Sequence, residues 1–268
     1  MTARPPGITG GDRGRATARA PRDPLPGYTE RDALRGRRAL VLGGLAGGGS
    51  GRVVAAALAK EGAAVALADT TGLAGQAPGA RPVPRQRLGD DPVLQAAGLV
   101  SSLGAWSLPI HCDPASESDG RAAVAYTALE FGAVDLLVVH GAAVGAAREA
   151  HRTGGLGAAV AAAAPADRQR GSGIGPALGA VRGARPFLGD GAGAVVVGER
   201  GAPGGGPQVR AELRSLAGSL SGRRMRLNCL VPRAADTDAA VAAAVVELAA
   251  DGGRTGEVVG VAHVPHPQ

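Results

Sequence analysis

Aromatic residues are nearly missing from this chain: two Phe, two Tyr and one Trp occur in 268 residues. A core without rings must take its volume from Ala, Val and Leu, which pack smaller side chains. Cysteine is as scarce. Cys112 and Cys229 offer neither a metal-ligand spacing nor a disulfide framework, and they point to a reducing, cytoplasmic setting. No apolar run has the unbroken length of a membrane span, and the N-terminal residues lack the apolar core of a signal peptide.

Charge is present but uneven. Nine arginines and four acids precede Ala39, so most of the net +6 sits there and the remainder is nearly neutral. A nearly neutral body is a poor nucleic-acid surface, and a basic tail reads as a solvated arm. Residues 1–35 are rich in Pro, Gly and Arg and are expected to form a disordered basic arm. Hydrophobic residues make up 45% of the chain and mean hydropathy is +0.06, which fits one globular domain over residues 36–262, followed by a tail over 263–268.

Within that domain, apolar runs alternate with helical stretches. ALVLG (39–43) ends in glycine as a buried parallel strand does, and AVALAD (64–69) is the next strand. Between them an Ala-rich helix over 52–61 stops at Gly62. Pro and Gly over 70–89 predict a loop. Asp90-Asp91-Pro92 reads as a cap and first-turn proline for a helix that stops near Gly104. SLPIHCD (107–113) is a third strand, 116–131 a helix, and VDLLVVHGA (134–142) a fourth strand. Residues 156–188 have helical composition interrupted by Pro165 and by Gly171-Ser172-Gly173. GAVVVG, RLNCLV and EVVGVA complete seven strands, with helices from about Val209 and Asp238 between them. Such alternation predicts an α/β fold: a Rossmann-like, doubly wound parallel sheet whose strand order reverses beside the first strand.

The first strand–helix turn carries Gly43, Gly47, Gly49, Ser50 and Gly51. Glycines there let the backbone turn tightly and approach a pyrophosphate, while the next helix offers its first amides to the anion. Asp69 ends the second strand, where a carboxylate can bond the adenosine ribose hydroxyls and repel a 2′-phosphate. NAD is therefore expected, with NADP disfavoured.

Taken together, these segments resemble the short-chain dehydrogenase/reductase family from Leu34 to Ala262. RGRRALVLGG with GRVVAAALAKEGAAVALAD looks like the family's opening βαβ unit. HCDPASES is similar to the segment that places an aspartate, here Asp113, against adenine. FGAVDLLVVHGAA is similar to the strand that ends in the family's Asn-Asn-Ala-Gly turn, which brings Gly141 to the cofactor. RSLAGSLSGRRMRLNCLVPRAADT resembles the late helix, the sixth strand and the segment after it, with Thr237 at the nicotinamide-amide position. ADGGRTGEVVGVA resembles the closing strand. The resemblance implies an oxidoreductase scaffold that binds a nicotinamide dinucleotide.

The family's catalytic set does not follow. It requires Tyr-x-x-x-Lys with a Ser and an Asn. The chain has one lysine, Lys60, and its tyrosines, Tyr28 and Tyr126, have Asp32 and Glu130 four residues on. Ungapped counting puts Ala202 and Gly206 at the Tyr and Lys positions, Glu199 and Arg200 follow the fifth-strand match, and the lone Asn228 matches a strand residue. No catalytic residue or metal site is assigned. His140 is read as a turn histidine bonded to backbone, Glu199-Arg200 as an ion pair, and Asp236 as a helix cap. Three functions remain open: a dinucleotide-binding family member with impaired hydride transfer (a pseudoenzyme in that sense), a non-redox isomerase, dehydratase or cyclase with a small-molecule substrate, and a silent subunit of a homo- or hetero-oligomer.

Overall fold

The computed structural model describes residues 22–46, 49–70, 81–82, 91–145, 173–202, 204 and 206–264. Eight strands form one sheet: β1 (Arg38–Leu42), β2 (Ala64–Asp69), β3 (Arg81–Pro82), β4 (Ser107–His111), β5 (Leu136–His140), β6 (Gly193–Val197), β7 (Arg226–Val231) and β8 (Val258–Gly260). Their order is β3-β4-β2-β1-β5-β6-β7-β8. All pairings are parallel except β3 with β4. The seven parallel strands match the sequence expectation, and the order reverses between β1 and β5 as expected. The short antiparallel β3 is a correction, because it lies within the stretch read as a loop. Two residues carry no periodicity, and only pairing with β4 makes them a strand.

The main helices are α1 (Gly51–Lys60), α2 (Pro92–Ser102), α3 (Glu117–Phe131), α4 (Ile174–Ala184), α5 (Pro207–Leu220) and α6 (Asp238–Ala250). Residues 141–145, directly after β5, are also helical. Two starts follow the expected chemistry. The Asp91 carboxylate accepts from the amides of Val93 and Leu94, and the Ser116 hydroxyl accepts from that of Asp119. Of the broken helical segment, residues 156–172 lie outside the described residues and α4 occupies part of the rest.

Strand side chains alternate between two apolar layers. Ala39, Val41, Val65, Leu67 and Val138 face α1, α2 and α6, while Leu40, Leu42, Ala66, Ala68 and Val139 face α3, α4 and α5. The layers are aliphatic, as so few rings require. Trp106 and Phe131 pair at 4.8 Å between ring centroids, with Trp106 58% exposed at the start of β4.

The arm needs a second correction. Its residues 1–21 lie outside the described residues, but residues 23–35 are seated on the domain. Leu25 and Leu34 are buried in the α1-side layer. Glu61, wholly buried after α1, accepts hydrogen bonds from the Tyr28 hydroxyl (2.8 Å), the Ala33 amide (2.8 Å) and the Arg31 amide (3.2 Å). The Lys60 ammonium pairs with Asp23 at 2.9 Å and donates to the Leu25 carbonyl at 3.0 Å. Composition suggested too little apolar surface to fold, but two leucines and a polar clasp suffice when the domain supplies the partners.

Removing the clasp should therefore cost stability. Glu61→Ala removes three hydrogen bonds to the buried carboxylate, each worth about 0.5–1.5 kcal/mol or more because the acceptor is charged. We expect a loss of about 2–4 kcal/mol in urea unfolding, and about 1 kcal/mol for Tyr28→Phe. Unchanged midpoints in both variants would show that residues 23–35 are a passenger.

Candidate nucleotide site

The glycine turn after β1 lies where the strand order reverses, at the carboxyl ends of the strands. Open α/β sheets bind ligands in the crevice there. Gly43 and Gly44 both have left-handed backbone, with φ of +78° and +75°. Side chains have no room in this turn. A Cβ on Gly44 would sit 2.8 Å from His140 Cγ, and one on Gly43 would sit 2.8 Å from Ala143 Cβ. A Cβ on Gly49 or Gly51 would lie 2.5 or 2.6 Å from the Gly44 carbonyl oxygen. The Gly51 amide donates to that same oxygen at 3.1 Å. Gly47, expected in the same cradle, lies outside the described residues.

Ser50 occupies the cap position of α1 without a side-chain cap bond, and the first turn of α1 contains no acid. Its first amides are thus free of the side-chain competitors that cap α2 and α3. A glycine cradle leading into an uncapped helix start suits a phosphate group.

Asp69 and His140 flank the turn. They end β2 and β5, the two strands paired with β1, and strand alternation puts both side chains on the α1 side of the sheet. The Asp69 carboxylate accepts from the amides of Leu45 and Thr70, each at 2.8 Å. It is only 4% exposed. Burial raises its pKa above the usual 3.8, while the amides of Leu45, Thr70 and Ala46 oppose the rise and the nearby Asp113 adds to it. The residue expected to meet the ribose thus also ties down the glycine turn.

His140 departs from its sequence reading as a backbone-bonded turn residue. The side chain is buried, and Nε2 has no hydrogen-bond partner among the described residues. Burial alone lowers its pKa to about 4, so the ring is neutral at physiological pH.

The remaining expected site residues have local structural roles. The Asp113 carboxylate accepts from the Ala115 amide (2.8 Å) at the turn into α3. Gly141 passes so close to Gly173 that a Cβ would lie 2.9 Å from its carbonyl carbon. Thr237 caps α6 through the Ala240 amide, which corrects the assignment of that cap to Asp236. Asp236 instead accepts from the Arg233 amide at 2.7 Å. Arg200 bonds the Asp236 carbonyl and the Asp238 carboxylate rather than Glu199, so it ties the segment after β6 to that after β7. His111 Nε2 lies 2.6 Å from Asp91, the acid that caps α2.

The lone lysine and both tyrosines are committed elsewhere. Lys60 and Tyr28 hold the arm at the far end of α1, and Tyr126 packs against the α3-side layer. Ala202 lies in a turn, and Gly206 is the residue before α5.

No family model matches the chain, and no curated protein matches it. Solved structures do. A short-chain dehydrogenase/reductase from Serratia marcescens is similar, with a TM-score of 0.57 and 21% identity over 85% of this chain and 97% of that one. An NADH-dependent reductase complexed with NAD is also similar, with a TM-score of 0.59 and 19% identity over 86% and 96%. A blue fluorescent protein from a metagenomic library, in complex with NADPH, gives 0.58 and 18% over 85% and 97%. The chain has the fold of short-chain dehydrogenases/reductases.

Two substitutions test this geometry. Gly44→Ala combines a left-handed backbone with a clash against the His140 ring, and should cost at least about 2 kcal/mol in urea unfolding. A cost below about 0.5 kcal/mol would refute the crowding. Asp69→Asn keeps an acceptor for the Leu45 amide but removes the charge. Because folding raises the Asp69 pKa, its favourable contribution is complete while it is protonated and is lost as pH climbs through the folded value. The Asn variant should therefore gain thermal stability relative to wild type as pH rises from below 3.8 to neutrality. A pH-independent difference would remove that argument.

Proposed function

We propose that the chain is a divergent short-chain dehydrogenase/reductase that binds NAD(H) at the glycine turn and has lost the family's ordinary carbonyl and alcohol chemistry. The observation that carries the reading is the turn itself: Gly43, Gly44, Gly49 and Gly51 leave bare backbone at the switch point, before a helix start with no side-chain cap. Gly43, Gly49, Ser50 and Gly51 would hold the pyrophosphate, with Gly47 completing the cradle. Asp113 would face adenine, Gly141 would border the cofactor, and Thr237 would meet the nicotinamide amide.

Asp69 favours NAD over NADP. A carboxylate has about four acceptor sites, so capacity for ribose hydroxyls remains beside its amide bonds. A 2′-phosphate would instead meet a like charge at short range in a buried setting. That two similar structures contain NAD and NADPH, respectively, supports a nicotinamide dinucleotide of either kind.

When bound, a nicotinamide dinucleotide supplies a hydride donor or acceptor. This chain would position it but offer no ammonium-assisted phenol to move the accompanying proton. A missing general acid by itself costs about 10²–10⁴-fold in rate. The protein would act as a dinucleotide-binding subunit or a very weak oxidoreductase in the cytoplasm.

Calorimetric titration with NADH and NADPH, followed by NADH absorbance with a ketone panel, tests each part. We expect NADH to bind more tightly than NADPH, Asp69→Ala to narrow the difference, and ketone reduction to be negligible. Tighter NADPH binding would overturn the Asp69 assignment, and brisk turnover would overturn the loss of chemistry.

A further inference from the structure

At the amino ends of the strands, on the edge of the sheet opposite the glycine turn, lies a cavity of about 430 Å³. It is lined by Arg37 and Arg38 at the start of β1, Leu103 and Gly104 after α2, Trp106 before β4 and Phe131 at the end of α3. Its volume falls in the range of small-molecule sites, about 300–1,000 Å³. The length of β1, about 16 Å, separates it from the nucleotide site.

The lining is unusual for this chain in two respects. The only tryptophan and one of the two phenylalanines meet here. Trp106 rests against Phe131 with the rings tilted at 55°, yet more than half of the indole residue is exposed. A large ring left in water at a cavity wall offers a face to another flat apolar group. The charge is also one-sided, since no acid among the described residues lines the cavity. Asp135 fixes Arg38 through Nε and Nη2, at 2.7 and 2.9 Å, and Nη1 makes no hydrogen bond among the described residues. Arg35 and Arg38 are paired with Asp32 and Asp135, but the exposed Arg37 between them forms no ion pair among the described residues. Its charge reaches Arg226 at the start of β7, whose pKa is lowered by burial and by Arg37, with Asp251 opposing. An anion beside Arg37 would relieve that repulsion.

We propose that this cavity binds a small aromatic carboxylate, its ring against Trp106 and its carboxylate on the guanidiniums of Arg37 and Arg38. An arginine fork matches the two oxygens of a carboxylate. Asp135 holds Arg38 in place before the ligand arrives, Arg37 supplies the unpaired charge, and Phe131 supports the indole. The site needs no dinucleotide, so the inference stands apart from the reading above.

Because Trp106 is the only tryptophan, its emission reports on this cavity alone. The full chain is titrated with phenylacetate, with phenylacetamide, which lacks the charge, and with acetate, which lacks the ring. A ligand as small as phenylacetate is expected to bind at about 1 mM, with a saturable shift in Trp106 emission. The amide and acetate should bind about fivefold more weakly or worse. Arg37→Gln should weaken phenylacetate about fivefold, leave the amide unchanged and keep the wild-type melting temperature. Calorimetry should show phenylacetate binding weakened in Trp106→Leu as well. The proposal is overturned by no saturable shift below about 10 mM, by equal affinity for acid and amide, or by wild-type affinity in Arg37→Gln. A shift that follows protein concentration rather than ligand would also overturn it, and would make the cavity a contact between two copies.

Discussion

Backbone crowding at the carboxyl ends of β1 and β5 is the constraint on which the site depends. Gly44 lies against the His140 ring, Gly49 and Gly51 fold back on the Gly44 carbonyl, and Gly141 meets Gly173. Each approach is closer than a Cβ permits, so the turn is closed by bare glycine backbone, with the Asp69 carboxylate holding the Leu45 amide. That explains why glycine is spent here despite its entropic cost. A glycine-rich composition says nothing about where such crowding occurs; the contacts locate it at the single point where the strand order reverses.

The opposite edge of the sheet uses a different kind of order. Several polar groups are paired there: Lys60 with Asp23, Glu61 with Tyr28 and two arm amides, and Arg38 with both oxygens of Asp135. Burial alone would raise the Asp135 pKa, but the Arg38 guanidinium and amide outweigh it and hold the carboxyl low. Arg226, at the start of β7, keeps a buried Nη1 with no hydrogen-bond partner among the described residues. The chain's only lysine and one of its two tyrosines serve that edge, which leaves fewer proton-handling groups for the other end.

Much of this was legible in the sequence, for identifiable reasons. β2 was readable to the residue because a buried parallel strand is a nearly unbroken aliphatic run, and β7 was readable to the residue even though Asn228 interrupts its run. Asp91 and Ser116 announced helix starts through capping chemistry that acts over two or three residues. What escaped notice depends on distant partners. β3 exists only through its pairing with β4, and the arm docks only because Glu61 lies beneath it. The isolation of His140 could not be read at all, since it reflects which groups fail to reach Nε2. The signal available was a histidine closing an otherwise aliphatic strand beside a glycine turn.

Asp69 and His140 make the two edges comparable in energy terms. Both end strands adjacent to β1, both are buried, and among the described residues neither has an ion-pair partner. Asp69 gains amide bonds but carries a carboxylate into a site where burial opposes its charge, and His140 keeps a nitrogen with no bond among the described residues. Valine or leucine at either place would extend the strand's own aliphatic pattern and avoid the desolvation cost. Stability therefore does not account for these two side chains. Polar groups that a fold buries at a cost, on either side of a glycine turn, are what a binding site requires when the ligand is expected to complete the hydrogen bonding.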